Sequence, residues 1–145
     1  MPEWIEFHDS TLDSVRVDSN GTTLHLDAYV HRWERSAGGW AGSGWSQPVT
    51  IAIGGPAEHG EMRDPIAITD GCLTVDGSEY RNWLSVPFTR DGQVALWFDA
   101  MWTPTRLQFS GHGVRVEAAG AATFLESLDD DMRPDELADL SPDSQ

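Results

Sequence analysis

Histidine, aspartate and tyrosine recur at every second position in one stretch of the chain: His25, Asp27, Tyr29 and His31. Trp33 continues the spacing, and Trp40 and Trp45 follow within a glycine-rich segment. A strand sends alternate side chains to opposite faces, so this spacing gathers imidazole, carboxylate, phenol and indole groups on one face. Such groups can ligate a metal, exchange protons, or stack against a polar ligand. Leu24, Leu26, Ala28 and Val30 occupy the intervening positions, a face patterned for burial.

Geometry limits the first of these chemistries. His25 and His31 lie about 20 Å apart on a straight strand at ~3.3 Å per residue, and one zinc ion with bonds of ~2.0–2.1 Å cannot reach both. No metal and no cofactor are expected. The remaining reading is a ligand-binding face formed by His25, Asp27, Tyr29, Trp33, Trp40 and Trp45, with the tryptophans as a stacking platform in a loop over residues 36–45. In the competing reading, the same loop covers the open end of the fold and its rings plug the core. Trp45, two residues before Gln47-Pro48, is expected to be the more buried. Trp40, between Gly39 and Ala41, is expected to be the more exposed.

Nucleophile signatures are absent. Ser43 lies in Gly42-Ser43-Gly44, but Ala41 and Trp45 stand where a nucleophile elbow needs glycine. Cys72 follows Asp70-Gly71, and a nearby acid disfavours a thiolate. No phosphate-cradling loop or H-E-x-x-H motif occurs, and Asp129-Asp130-Asp131 lacks the spacing of a calcium loop. These absences favour a non-enzymatic protein, with a hydrolase or metalloenzyme as the third reading. Its formal charge is −15, and all nine cations are arginine, without clustering. Nucleic acid is a poor partner, because phosphate binding needs a cationic face, and anionic membranes are disfavoured likewise. One cysteine, no basic leader and no long apolar run predict a reduced, cytoplasmic protein.

Short apolar-alternating runs separated by turn signals point to an all-β domain over residues 1–128. The expected fold is an antiparallel sandwich or half-open barrel of about eight or nine strands. Ser19-Asn20-Gly21 marks a hairpin. Asp70-Gly71 and Arg90-Asp91-Gly92 read as further turns, residues 56–64 as a polar loop, and Gly111-His112-Gly113 as a bulge. Residues 129–145 form an acidic tail, disordered or with a short helix from Pro134, because no apolar periodicity is present to dock it.

Phe7-His8-Asp9-Ser10-Thr11-Leu12 resembles the opening of a family of small uncharacterised bacterial all-β proteins. Asp70–Gly77 with Tyr80 and Asn82, and Gly111–Val114 with Gly120, are similar to later blocks of that group. The His-Asp opening is more distantly similar to immunity proteins of polymorphic toxins, which are small, acidic and without catalytic residues. That resemblance implies an interaction protein whose acidic surface meets a basic protein partner. The tryptophan-rich segment offers the alternative of a small-ligand or carbohydrate binder. His8 and Asp9 are expected to fix a turn, with Asp9 or Ser10 tying down backbone amides.

Overall fold

Long alternating strands build the architecture. In the computed structural model, which describes residues 3–55, 64–102 and 104–138, β1 (Glu3–Asp18), β2 (Gly21–Ser36) and β3 (Gly39–Gly54) form a meander of 16-residue strands. β4 (Ile66–Val75), β5 (Ser78–Arg81), β6 (Trp83–Val86), β7 (Phe88–Ala100), β8 (Leu107–Ala118) and β9 (Thr123–Leu128) follow, all paired antiparallel. Six strands close a barrel in the order β1-β2-β3-β8-β7-β4, and β4 returns to β1 through Thr11↔Ala67 and Leu12↔Ile66. Closure removes the free edges of that sheet. The expected all-β antiparallel domain is therefore a closed barrel with three added strands.

Those additions extend one end. β6 pairs with β1 along residues 3–6, and β9 pairs with β3 along residues 42–46. The first halves of β1 and β3 thus have different neighbours from their second halves. The inward face carries the main core, with Ile5, Phe7, Leu24, Leu26, Val30 and Phe98 all essentially inaccessible to water. The outward face of the extension carries a second cluster of Trp4, Trp33, Trp83, Leu128 and Leu137, with Trp40 packed at its margin. This end of the sheet is buried on both faces, which explains its consecutive apolar residues, Trp4-Ile5 and Trp83-Leu84.

Several turn signals lie inside strands. Residues 36–45, read as a loop, form a hairpin with Ser36 opposite Gly39 and only Ala37-Gly38 at its tip. Its glycines serve packing. A Cβ on Gly42 would sit 2.5 Å from Trp33 Cε3, and one on Gly44 would sit 2.8 Å from Tyr29 Cζ. Bare backbone on the outer face of β3 lets two rings from β2 lie across it. Arg90-Asp91-Gly92 marks a register shift within β7, and Asp70-Gly71 lies in regular pairing within β4 just after a shift between Ile68 and Asp70; neither reverses the chain. A bulge in a paired strand needs the same permissive residues as a turn. The bulge expected at Gly111-His112-Gly113 is present.

After β9 come a 3₁₀ turn at Asp130–Met132 and a single α-helical turn, α1 (Asp135–Ala138). Leu137 is only 5% exposed and packs into the tryptophan cluster, and the Arg133 guanidinium lies 4.5 Å from the Trp40 ring centroid. The expectation that this segment has no means of docking is corrected at residues 129–138: one leucine and one stacked arginine suffice. The rest of the tail, and residues 56–63 of the expected polar loop, lie outside the described residues.

Candidate functional site

The outward face of β2 divides along its length. His25 and Asp27 are exposed, Tyr29 is half-buried, and His31 and Trp33 are buried at 6% and 4% exposure. Sequence alternation placed all five on one face correctly. It missed that β6, β9 and residues 129–138 cover the far half of that face. Trp33 and Trp40 join the outer cluster, whereas Trp45 belongs to the opposite face of β3. There it packs edge-on against Phe124 with centroids 5.3 Å apart, under the Arg32 guanidinium at 4.2 Å. Trp40 and Trp45 are both half-buried. The three tryptophans do not form one platform.

A polar constellation sits beside the buried half. Trp83, Glu6, Tyr29 and Ser46 share one row across β6, β1, β2 and β3. Next to it, β1 carries a wide bulge in which the register jumps from Glu6 to Thr11. Ser10, 1% exposed, holds the bulge: its hydroxyl donates to the Glu6 carbonyl at 2.6 Å and accepts the Tyr29 amide at 2.9 Å. The turn expected at His8 and Asp9 is instead a bulge within β1, and of the two side chains expected to tie down backbone amides Ser10 does so. A second tie comes from Asn82, whose Oδ1 accepts the His8 amide at 2.8 Å and whose carbonyl accepts the Phe7 amide at 2.8 Å. His8 Nδ1 lies 3.0 Å from the Thr69 carbonyl oxygen, and its Nε2 lies 3.5 Å from Asp9. Asp9 and Asn82 both adopt left-handed backbone conformations, at φ 78° and 64°. Two such residues side by side are strained, and strain of this kind collects at functional sites.

The electrostatics follow from this packing. Burial, then a hydrogen bond to Asp9 and the Asp9 charge, push the Glu6 carboxyl up to about 7, against the opposing pull of His8 and Asn82. Near neutral pH, Glu6 is therefore only partly ionised, chiefly because its carboxyl is half-buried. Tyr29 donates to Glu126 at 2.7 Å, and burial together with that carboxylate raises its phenol well above the ordinary range. Burial lowers His31 to about 4 despite the nearby Glu126 and Asp9 charges. Trp33 Nε1–H donates to His31 Nδ1 at 3.2 Å, which assigns the proton of the neutral imidazole to Nε2. Trp83 and Tyr29 meet the imidazole edge to face at 4.8 and 5.1 Å.

Further along the face, burial and the charge of Asp27 raise Asp13. Asp27 accepts a short hydrogen bond from Ser46. Glu6, Asp9, Asp13, Asp27 and Glu126 thus form an acidic band over β1, β2 and β9. Among the described residues, the arginine–carboxylate pairs fall elsewhere, at Glu3, Asp70, Asp99, Glu117 and Asp130. Also among the described residues, no group of three or more His, Cys, Asp or Glu side chains is arranged to hold a metal ion.

Glu6, Asp13 and Glu126 are not singled out by the sequence, and Asp9 and Asn82 are singled out only for a turn and for the family resemblance. The available signal was Asp9 and Asn82 themselves, since Asp and Asn tolerate the left-handed region better than most residues. No known protein family, curated protein or solved structure matches the chain.

Proposed function

We propose that this protein is a non-enzymatic interaction module that binds a basic protein through the acidic band of Glu6, Asp9, Asp13, Asp27 and Glu126. The observation that carries this reading is a surface run of five carboxylates with which, among the described residues, no arginine pairs. Burial and then the neighbouring carboxylate raise Glu6 and Asp13, and His8 and His25 offset only part of that repulsion. Approaching guanidinium or ammonium groups would relieve it, lower both pKa values and gain charge-assisted hydrogen bonds. Complementary charge also speeds encounter and selects against acidic competitors. The more distant likeness of the His8-Asp9 opening to toxin-immunity proteins makes a basic bacterial toxin the first partner class to test. The small-ligand alternative built on Trp33, Trp40 and Trp45 has less support, because those rings lie on two faces and Trp33 is buried.

The test is co-purification from a bacterial lysate with three baits: wild type, Asp13→Asn/Asp27→Asn, and Asp130→Asn/Asp131→Asn. The expected result is a basic protein retained by wild type and by the third bait, and lost from the second. Retention by all three, or loss only from the third, contradicts the assignment.

A further inference from the structure

β9 stands outside the closed circuit of the barrel. Among the described residues it pairs with β3 alone, so its other side is an open edge. It is six residues long, against four each in β5 and β6, and five of its six residues are exposed. Phe124 and Leu125 are 53% and 52% exposed. Open edges are commonly guarded by lysine or proline against further pairing, and Thr123–Leu128 contains neither. Its one irregularity is a bulge at Leu125.

The ladder fixes which backbone groups face that opening. The Ala119 amide donates to the Pro48 carbonyl at 2.8 Å, so Pro48 turns its backbone toward β8. Alternate residues of a strand direct their N–H and C=O to opposite sides, and β2 and β3 pair without a register shift from Gly21↔Gly54 to Ser36↔Gly39. Even-numbered residues of β3 therefore face β8 and β9, and odd-numbered ones face β2. Trp45 and Ser43 are odd, and they stand opposite Phe124 and Ser127. Such pairs exchange no ladder bonds, so the N–H and C=O of Phe124 and Ser127 point into the open side. The side chains also divide by face. Phe124 lies against Trp45 on the inward face, with centroids 5.3 Å apart, and Glu126 accepts the Tyr29 hydroxyl on the outward face.

We propose that an extended segment of the basic partner adds as a further strand to the open edge of β9. The inference rests on the acidic band as the partner surface, since Glu126 belongs to both. In strand addition, main-chain bonds supply affinity and alternate side chains supply specificity. Phe124 and Ser127 offer the main-chain groups. The added strand would set arginine or lysine on the face of Glu126 and an apolar side chain on the face of Phe124. Charge favours this occupant over a second copy of the chain. Asp129, Asp130 and Asp131 follow β9 directly, and two copies would bring these and Glu126 together in molecules of formal charge −15 each. Like charges across paired strands are destabilising.

Two peptides test the proposal by amide shifts and hydrogen exchange of the ¹⁵N-labelled protein. One alternates arginine and valine; the other is the same peptide N-methylated throughout, which keeps its charge but cannot donate main-chain bonds. The expected result is shifts in the acidic band with both, and at least tenfold slower exchange at Phe124 and Ser127 with the first alone. The N-methylated peptide should bind at least tenfold more weakly. Ser127→Pro removes an amide that β3 does not use and should abolish the protection; its thermal melt checks the fold, and the peptide pair decides the matter if that variant does not fold. Equal binding of the two peptides, or band shifts without protection at Phe124 and Ser127, would overturn strand addition and leave the acidic band standing. Protection that rises with protein concentration in the absence of peptide would give the edge to a second copy and overturn it likewise. No response to either peptide would contradict both readings.

Discussion

Replacing Gly42 with alanine separates a strand that seats an indole from a flexible loop. In a loop, glycine to alanine at an unstrained position is neutral or stabilising by about 0.4–1 kcal/mol, because the unfolded chain loses freedom. In this structure the new methyl would lie 2.5 and 2.6 Å from the Cε3 and Cη2 atoms of Trp33, far inside van der Waals contact. Trp33 cannot step aside at little cost, since it is 4% exposed and packed among Trp4, Trp83, Leu128 and Leu137. Overpacking of this kind costs about 1–3 kcal/mol. Displacing the ring also breaks its bond to His31, worth about 1 kcal/mol. The expected loss is about 2–4 kcal/mol, a fall in Tm on the order of 6–15 °C for a domain of this size. Thermal and urea melts followed by circular dichroism and tryptophan emission measure it. Gly38→Ala is the control: nothing lies within 4 Å of a Cβ there, so its stability should change by less than about 0.5 kcal/mol. A Gly42→Ala protein as stable as wild type, with unchanged emission, would refute the packing argument.

Other consequences follow from the same contacts. Leu137→Ala should destabilise by about 2–4 kcal/mol and red-shift the emission of the tryptophan cluster, since it empties a buried leucine site; an unchanged melt would show that residues 129–138 do not seal the cluster. Glu6 is raised from 4.5 to about 7 in the folded state, so its contribution is full below pH 4.5 and is lost as pH rises through 7. Glu6→Gln should therefore gain stability over wild type at pH 8 and show no such gain at pH 4, as urea melts at the two pH values would report. His31 behaves oppositely. Its folded pKa is lowered from 6.5 to about 4, so stability is full above pH 6.5 and is lost as pH falls through 4, and His31→Phe should flatten that acid limb of the melting curve.

The fold was more legible than the site, for reasons visible in particular residues. Leu24, Leu26, Ala28 and Val30 alternate without interruption and face one core, so β2 could be read directly. β3 was half hidden, because Gly42 and Gly44 occupy the outer positions that would otherwise reveal the strand. Their role depends on Trp33 and Tyr29 of the neighbouring strand, which no local pattern contains. Asp91-Gly92 satisfies the backbone demands of a bulge as well as those of a turn, so local composition cannot separate the two. The site is assembled across the chain: Glu6 meets Asn82 through the pairing of β6 with β1, and Tyr29 meets Glu126 through the pairing of β9 with β3. The His25–Trp33 face was found because it lies on one strand, and its division into exposed and buried halves was not, because β6, β9 and Leu137 come from elsewhere.

The central claim, that the band over β1, β2 and β9 is the binding face, is tested most directly by amide chemical-shift mapping with hexa-arginine as the basic probe, at low and at physiological salt. The chain offers that probe a rival, the acidic segment of Asp129, Asp130, Asp131 and Asp135. The largest shifts are expected at Glu6, Asp9, Asp13, Asp27 and Glu126, persisting at physiological salt and vanishing in Asp13→Asn/Asp27→Asn. Shifts centred on Asp129–Asp135, or spread evenly over every acidic residue and abolished by salt, would contradict it.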